Sequence, residues 1–353
     1  MPPTANPPVG CRPECPGCRY RDLSASQSLE AKLAWARTKL DPWLDRLQTA
    51  RFGAEDWHYR DRVRLRAEYD RGWQFGLRRQ EEFIAIPHCP LHTDRVNRLA
   101  SGLADLPPGL RLAFLVVNGA QATLVSRADH ALELDAGWLA SVGLDGLWLH
   151  VHPAAGKRMF GKGAWRLLWG RSRSTDERGL AYGPTAFLQV RPQLHQESLQ
   201  EAAEFLGAGP ESQLVDLYCG LGHSLRLWLA AGARAVGVEL SGEAVQMAAL
   251  NAPEATILRG KAEHRLPQLE AWWTCGPRLA YLNPPRTGLE RSVLSWLAEV
   301  ARPVRLAYLS CSPGSLRRDL EQLEAHGYRV ESLRPYDFFP HTHHLEVLAL
   351  AGR

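Results

Sequence analysis

Val215-Asp216-Leu217-Tyr218-Cys219-Gly220-Leu221-Gly222 decides the fold class. An apolar strand runs into two glycines one residue apart, and a helix is expected at about residues 223–231. Only glycine lets a backbone bend there and come close to a ligand. Glu239 closes the next strand, 19 residues after Gly220, where an acid can hold two ribose hydroxyls. The third glycine of a dinucleotide fingerprint is missing. Such a turn suits NAD or S-adenosylmethionine equally, and a tight turn without a ligand stays open.

Around this turn, helices and strands alternate. A helix is expected over 193–206, with strands at 213–218, 235–240, 256–260, 279–285 and 304–310. Helices are expected from Ser241, over 290–300 and over 314–326, and two last strands at 328–333 and 344–350. That alternation implies an α/β fold with a parallel, doubly wound sheet.

Upstream the texture changes. Arg60, Arg62, Arg64 and Arg66 alternate with other residues between Tyr59 and Tyr69, the period of a strand with one basic face. Short β-prone runs continue at 73–77, 83–86, 112–118, 122–127, 146–153 and 164–170, with Gly and Asp between them. The expected organisation is a cysteine loop with helices over 1–50, a β-rich central domain over 51–185 and an α/β catalytic domain over 186–353. In the first part Leu29, Leu33, Ala36 and Leu40 recur at helical spacing. Asp41-Pro42 then opens a second short helix. The arginine face is either a solvated sheet surface or an RNA contact.

Composition sets the outer bounds. Of 353 residues, 45% are hydrophobic and 23% charged, so a packed core is feasible and global disorder is excluded. No apolar run is long enough for a transmembrane helix, and the N-terminus has no signal-peptide stretch. A cytoplasmic, monomeric protein with no membrane partner is expected. The net charge of +4 is too mild to declare a nucleic-acid partner. Arginine nonetheless supplies 37 of the 42 basic residues, through codon bias or because guanidinium groups meet phosphates and bases.

Cys11, Cys15 and Cys18 crowd one Pro- and Gly-rich loop, and Cys89 stands alone between His88 and His92. Disulfides are not expected in a reducing compartment. Three thiols within eight residues suit a metal centre, with Cys89 as fourth ligand. Spacing leaves zinc and an iron–sulfur cluster both open. The Cys11-Cys15-Cys18 spacing also resembles the radical S-adenosylmethionine signature, but Gly17 occupies its aromatic position and no β/α barrel follows.

Three further motifs fall where the sheet should end in a cleft. Asn283-Pro284-Pro285-Arg286 leaves one strand and resembles the motif of amino-group methyltransferases, with Arg286 in place of the base-stacking aromatic. Ser310-Cys311-Ser312-Pro313 leaves the next, so Cys311 is a candidate nucleophile. Phe339-Pro340-His341-Thr342-His343-His344-Leu345-Glu346 precedes an apolar strand. Glu346 there points inward, and a buried acid with a raised pKa can accept a proton.

In this order and spacing, DLYCGLG, NPPR, SCSP and FPHTHHLE resemble the RNA (uracil-5-)methyltransferase family, with its TrmA, RumA and RumB branches. The likeness runs over nearly the whole chain and includes the N-terminal cysteines and Phe187-Leu188-Gln189. It implies a class I (Rossmann-like) S-adenosylmethionine-dependent methyltransferase domain after a β-rich RNA-binding domain and an N-terminal iron–sulfur segment. Cofactor contacts are implied at Gln189, Tyr218, Gly220, Gly222, His223, Glu239, Glu263 and Asn283. Cys311 is implied as nucleophile and Glu346 as base. Cys11, Cys15, Cys18 and Cys89 are implied as ligands of a [4Fe–4S] cluster, and Arg60, Arg62, Arg64 and Phe187 as RNA contacts. Asn283 in place of the usual Asp, and no room for an N-terminal TRAM barrel, point to the RumB branch and 23S rRNA. Arg191, His223 and Ser312 depart from the family pattern. An amino-group methyltransferase and a non-catalytic RNA-binding relic are the competing readings.

Overall fold

The computed structural model describes residues 8–274 and 276–353. The start of the cysteine segment, residues 1–7, and Cys275 lie outside the described residues. Contacts divide the chain into two units, and not in strict chain order. The segment up to Ala25 belongs with Glu55–Val190, and Ser26–Ala54 belongs with Arg191–Arg353.

The second unit is built on an eight-stranded sheet. Its order is Arg51–Phe52, Arg329–Asp337, Glu346–Gly352, Arg305–Ser310, Arg278–Leu282, Gln213–Leu217, Arg234–Glu239 and Thr256–Arg259. Every neighbouring pair is parallel except those made by Glu346–Gly352, which runs antiparallel to both sides. Gln213–Leu217 and Glu346–Gly352 are buried at every residue, as strands covered on both faces must be. The antiparallel insertion was not part of the doubly wound expectation. It arises because residues 338–345 are too short for a crossover helix, so the last two strands pair as a hairpin.

Local signals placed most helices. The Ser241 hydroxyl accepts from Ala244 N–H ahead of Gly242–Asn251, and Ser312 accepts from Ser315 N–H ahead of Pro313–Ala325, satisfying donors a helix leaves unpaired. Two helices differ from expectation. Asp41–Arg46 is a 3-10 turn. The helix expected over 290–300 is α only at Arg291–Ser295 and opens into a π turn at Trp296–Ala301. Side chains take up the carbonyls this wider turn presents: Tyr328 Oη donates to Leu297 O (3.3 Å), Arg353 to Ala298 O (3.2 Å) and Arg278 to Ala301 O (3.2 Å).

The other unit carries a seven-stranded sheet in the order Glu82–Ala85, Trp73–Arg79, Arg62–Tyr69, Leu112–Asn118, Gln121–Ser126, Gly146–Val151 and Ala164–Gly170. Along Arg62–Tyr69, Val63, Leu65 and Ala67 are buried, whereas Arg62, Arg64 and Arg66 occupy the opposite face. Two helices, Asp94–Gly102 and Ala136–Ser141, were absent from the β-rich reading. Val96, Leu99, Ala100 and Leu103 recur at helical spacing and pack into the same core as Val63 and Leu65. They complete the apolar side of a sheet that could not bury it alone.

Helix Ala25–Lys39 shows how the second unit is fastened. Its buried face carries Lys32 as well as Ala36, and Lys32 Nζ donates to Asp337 Oδ1 at 2.7 Å and to Phe339 O at 3.0 Å. Asp337 also accepts from Phe339 N–H at 3.1 Å. Burial lowers the Lys32 pKa, and Asp337 opposes that shift. This pair anchors the start of the segment that leads to Glu346. Removing one partner of such a pair leaves the other charge buried and costs about 3–5 kcal/mol. Lys32→Met should therefore lower unfolding stability by that order in a urea titration, and adding Asp337→Asn should recover part of the loss. A change under about 0.5 kcal/mol would mean that the pair is not holding this segment.

Candidate active site

The strand Gln213–Leu217 ends in a turn with three left-handed positions, Tyr218 (φ 64°), Gly220 (φ 56°) and Gly222 (φ 84°). At Gly222 a Cβ would lie 3.1 Å from Ala248 Cα, so the glycine allows the helix to close in; a Cβ at Gly220 would meet no atom within 4 Å. Glu239 reaches back to this turn. Its Oε2 accepts from Gly220 N–H (3.1 Å) and its Oε1 from Ser241 N–H (2.7 Å). The Asn283 backbone N–H donates to Leu217 O at 3.2 Å, which sets it beside Tyr218. The Tyr218 hydroxyl donates to Glu290, and burial pushes its pKa well up.

Glu263 follows the neighbouring strand Thr256–Arg259 and pairs with Lys261 at 3.3 Å. His223 starts helix His223–Ala230 with its Nε2 2.7 Å from Gln196 Oε1. Cys219 has a packing role: a Cβ at Gly237 would come within 2.6 Å of its sulfur. Arg191, a departure from the family pattern, is buried with its guanidinium against Gly53.

The nucleophile candidate stands on the same sheet edge. Ser310 pairs with Val347 at the end of the antiparallel ladder, so Cys311, one residue past its strand, and Glu346, first of its own, lie next to that pair and feel each other's charge. Cys311 is partly buried and Glu346 is 6% exposed. Burial, reinforced by Glu346, pushes the Cys311 thiol up to about 11. Burial pushes the Glu346 carboxyl up to about 8. Arg286 opposes both shifts: its charge lowers both groups and its side chain hydrogen-bonds Cys311. The same guanidinium lies 3.0 Å from His344 Nε2. Sequence reasoning marked Arg286 only as a missing aromatic. The available signal was its place directly after Asn283-Pro284-Pro285, just past the strand that neighbours the one leading to Cys311.

In the other unit, one cavity is lined by Cys11, Cys15, Cys18 and Cys89. Gly10 (φ 92°) presses the cysteine loop onto the turn before Cys89, since a Cβ there would sit 2.2 Å from His88 O. Arg21 donates to Cys15 O (2.9 Å) and Asn97 to Cys89 O (3.1 Å), which fixes both sides. His88 is exposed. Among the described residues, no group of three or more His, Cys, Asp and Glu is arranged to hold a metal ion.

The expected arginine row is shorter than the sequence suggested. Arg60 precedes the strand, bridging to His92, and its charge acts on Cys18 as well as on Arg62. Arg62 lies 4.2 Å over the ring of Phe187, which is 53% exposed. Burial and the charges of Arg64 and Arg60 lower the Arg62 pKa to about 10. Gln189 keeps a buried side-chain oxygen with no hydrogen-bond partner among the described residues.

Comparison with known proteins fits this geometry. The tRNA (Uracil-5-)-methyltransferase family model matches residues 273–352, the stretch holding Asn283, Arg286, Cys311 and Glu346. The 23S rRNA (uracil(1939)-C(5))-methyltransferase RlmD of Shewanella baltica is 30% identical over 378 residues, covering 96% of this chain and 81% of its own length. The RlmD protein of Yersinia enterocolitica is 28% identical, covering 97% and 78%. Both relatives are RlmD proteins, so the RumB branch expected from NPPR finds no separate support among them. The Pyrococcus abyssi tRNA (uracil-54, C5)-methyltransferase, solved with S-adenosyl-L-homocysteine, shares the fold with a TM-score of 0.77 at 19% identity, over 97% of this chain and 87% of its own. The chain belongs to the RNA (uracil-5-)methyltransferase family.

Proposed function

We propose that this protein methylates C5 of a uridine in RNA, with 23S rRNA as substrate, through a transient bond between Cys311 and uracil C6. The observation that carries this reading is the placement of Cys311 beside Glu346 with Arg286 facing both. Family membership and the RlmD relatives support it. An amino-group methyltransferase would need neither a thiol nor an inward acid there.

The residue types follow from the reaction. Uracil C5 is a poor nucleophile, and a thiolate added at C6 moves charge onto C5. S-adenosylmethionine, when bound, supplies an electrophilic methyl group. Glu346 as a carboxylate then takes the C5 proton, and expulsion of the Cys311 thiolate restores the C5–C6 double bond. Cys311 and Glu346 both act as anions, and Arg286 offsets their repulsion. The methyl donor would be held by Gly220, Gly222, Glu239 and Asn283, with Tyr218, His223 and Glu263 around it. Arg60, Arg62, Arg64 and Phe187 would meet the RNA, whose target base must leave its stack to be reached. The protein would act in the cytoplasm as a monomer. Among its described residues no helix is long and apolar enough to cross a membrane.

Cys11, Cys15, Cys18 and Cys89 would hold a [4Fe–4S] cluster. The support for this reading is that all four thiols line one cavity. Bound there, it would tie the N-terminal loop to the Cys89 turn; the methylation itself moves no electron. Anaerobically purified protein should be brown and contain about four irons per chain. Stoichiometric zinc without acid-labile sulfide would contradict the assignment.

Two results test the catalytic pair. Cys311→Ala should abolish methyl transfer to RNA while donor binding stays nearly intact. Glu346→Gln should add to RNA and methylate it but fail to release it, leaving a denaturant-resistant complex that requires both Cys311 and the donor. Full activity in Cys311→Ala would refute the mechanism.

Glu346 also has a signature in stability. Its folded pKa, about 8, lies above the ordinary value of 4.5, so the folded chain binds this proton more tightly than the unfolded chain. Its stabilising contribution is therefore complete below about pH 4.5 and is lost as the pH rises toward 8, by about 1.4 kcal/mol per unit. Glu346→Gln should be more stable than wild type at pH 8, with the gap closing toward pH 5. Equal gaps at both pH values, read from urea midpoints, would place the carboxyl in water.

A further inference from the structure

On the sheet of the first unit, one row of paired residues crosses five strands: Arg66, Phe114, Val125, His150 and Trp165. Residues paired in register share a face, so the row starts at an arginine and ends at an edge-strand tryptophan. The two ends are roughly 19 Å apart, four strand spacings. Arg66 lies 5.1 Å over the Phe114 ring. At the far end, Trp165 stacks on His150 with centroids 4.1 Å apart and planes 20° from parallel. His150 is fully buried, whereas Trp165 is 38% exposed. His150 therefore covers one face of the indole, while more than a third of the residue stays open to solvent.

The backing ring is locked. Gly161 N–H donates to His150 Nε2 (3.3 Å), which makes Nε2 the acceptor, so Nδ1 carries the proton and donates to Ala164 O (3.1 Å). Phe160 and Trp148 flank the indole at 5.5 and 6.1 Å. Between the arginine end and the tryptophan, residues 153–163 lie across the sheet. Ala155, Met159 and Phe160 pack on Val116 and Val125, and the loop leaves Lys157, Arg158 and Lys162 exposed. Two of the chain's five lysines are in this loop.

We infer that Trp165 is a stacking site for an unpaired base of the RNA, with Lys157, Arg158 and Lys162 holding the phosphates beside it. This rests on the RNA reading above and adds a contact point that neither the motifs nor the arginine row disclosed. A flat ring fixed by a neutral, hydrogen-bonded partner receives a base without first being ordered. Every base has a π face, so the site discriminates unpaired from paired RNA rather than sequence. The exposed cations of the loop that leads into the tryptophan's strand favour an RNA strand over an apolar protein segment.

The test is binding of full-length protein, without methyl donor, to a single-stranded oligouridine and to a duplex RNA of equal length. Trp165→Ala should weaken single-strand binding about tenfold or more, leave duplex binding nearly unchanged and keep the salt dependence. Trp165→Phe should retain most of the affinity. Replacing Lys157, Arg158 and Lys162 by Ala should instead flatten the salt dependence for both RNAs. Equal single-strand affinity in Trp165→Ala and wild type, or equal losses for single strand and duplex, would overturn the stacking site while leaving the methylation reading intact. Wild type that binds neither RNA would count against the RNA reading itself.

Discussion

In the proposed reaction Cys311 and Glu346 would each surrender a proton, and the sheet sets them side by side in a corner that resists charge. Burial raises both, and each would repel the other once ionised. Arg286 eases that conflict, and much of the second unit serves to keep the three groups in place. The antiparallel insertion of Glu346–Gly352 beside Arg305–Ser310 puts the acid near the thiol. The two prolines before Arg286 stiffen the exit of the strand Arg278–Leu282, and the Lys32–Asp337 pair anchors the segment that returns to Glu346. A change in any of these elements would reach the reacting corner through backbone position rather than direct contact.

The same physics made some of the site legible in the sequence. Gly220, Gly222 and Glu239 follow from strand-to-helix geometry, because glycine takes left-handed backbone angles without strain and a strand-end acid reaches that turn. Cys311 and Glu346 were legible as polar residues at the tips of apolar strands. Their proximity was not, since it depends on an antiparallel register that a helix–strand alternation does not encode. Arg286 was visible as an anomaly; its meaning required knowing which side chains it faces.

The first unit was harder to read. The arginine alternation gave the strand Arg62–Tyr69 and its basic face, but Arg60 falls outside the strand and joins the surroundings of Cys18. Helix Asp94–Gly102 hid behind its own polar residues, although Val96, Leu99 and Ala100 keep helical spacing. The cysteines were conspicuous by spacing alone, and the structure adds that all four line one cavity. The row from Arg66 to Trp165 could not be seen at all, because its five residues come from five strands spread over a hundred positions.

The central claim is covalent catalysis by Cys311, and trapping tests it most directly. A 23S rRNA fragment carrying 5-fluorouridine should be incubated with the protein and S-adenosylmethionine, then digested for mass spectrometry. Fluorine cannot leave C5 as a cation, so the ring, once methylated, should remain bonded to the enzyme. The account predicts a peptide containing Cys311 joined to a methylated fluorouracil nucleotide. Methyl transfer to RNA with no such adduct, or an adduct at Cys219 instead, would contradict it.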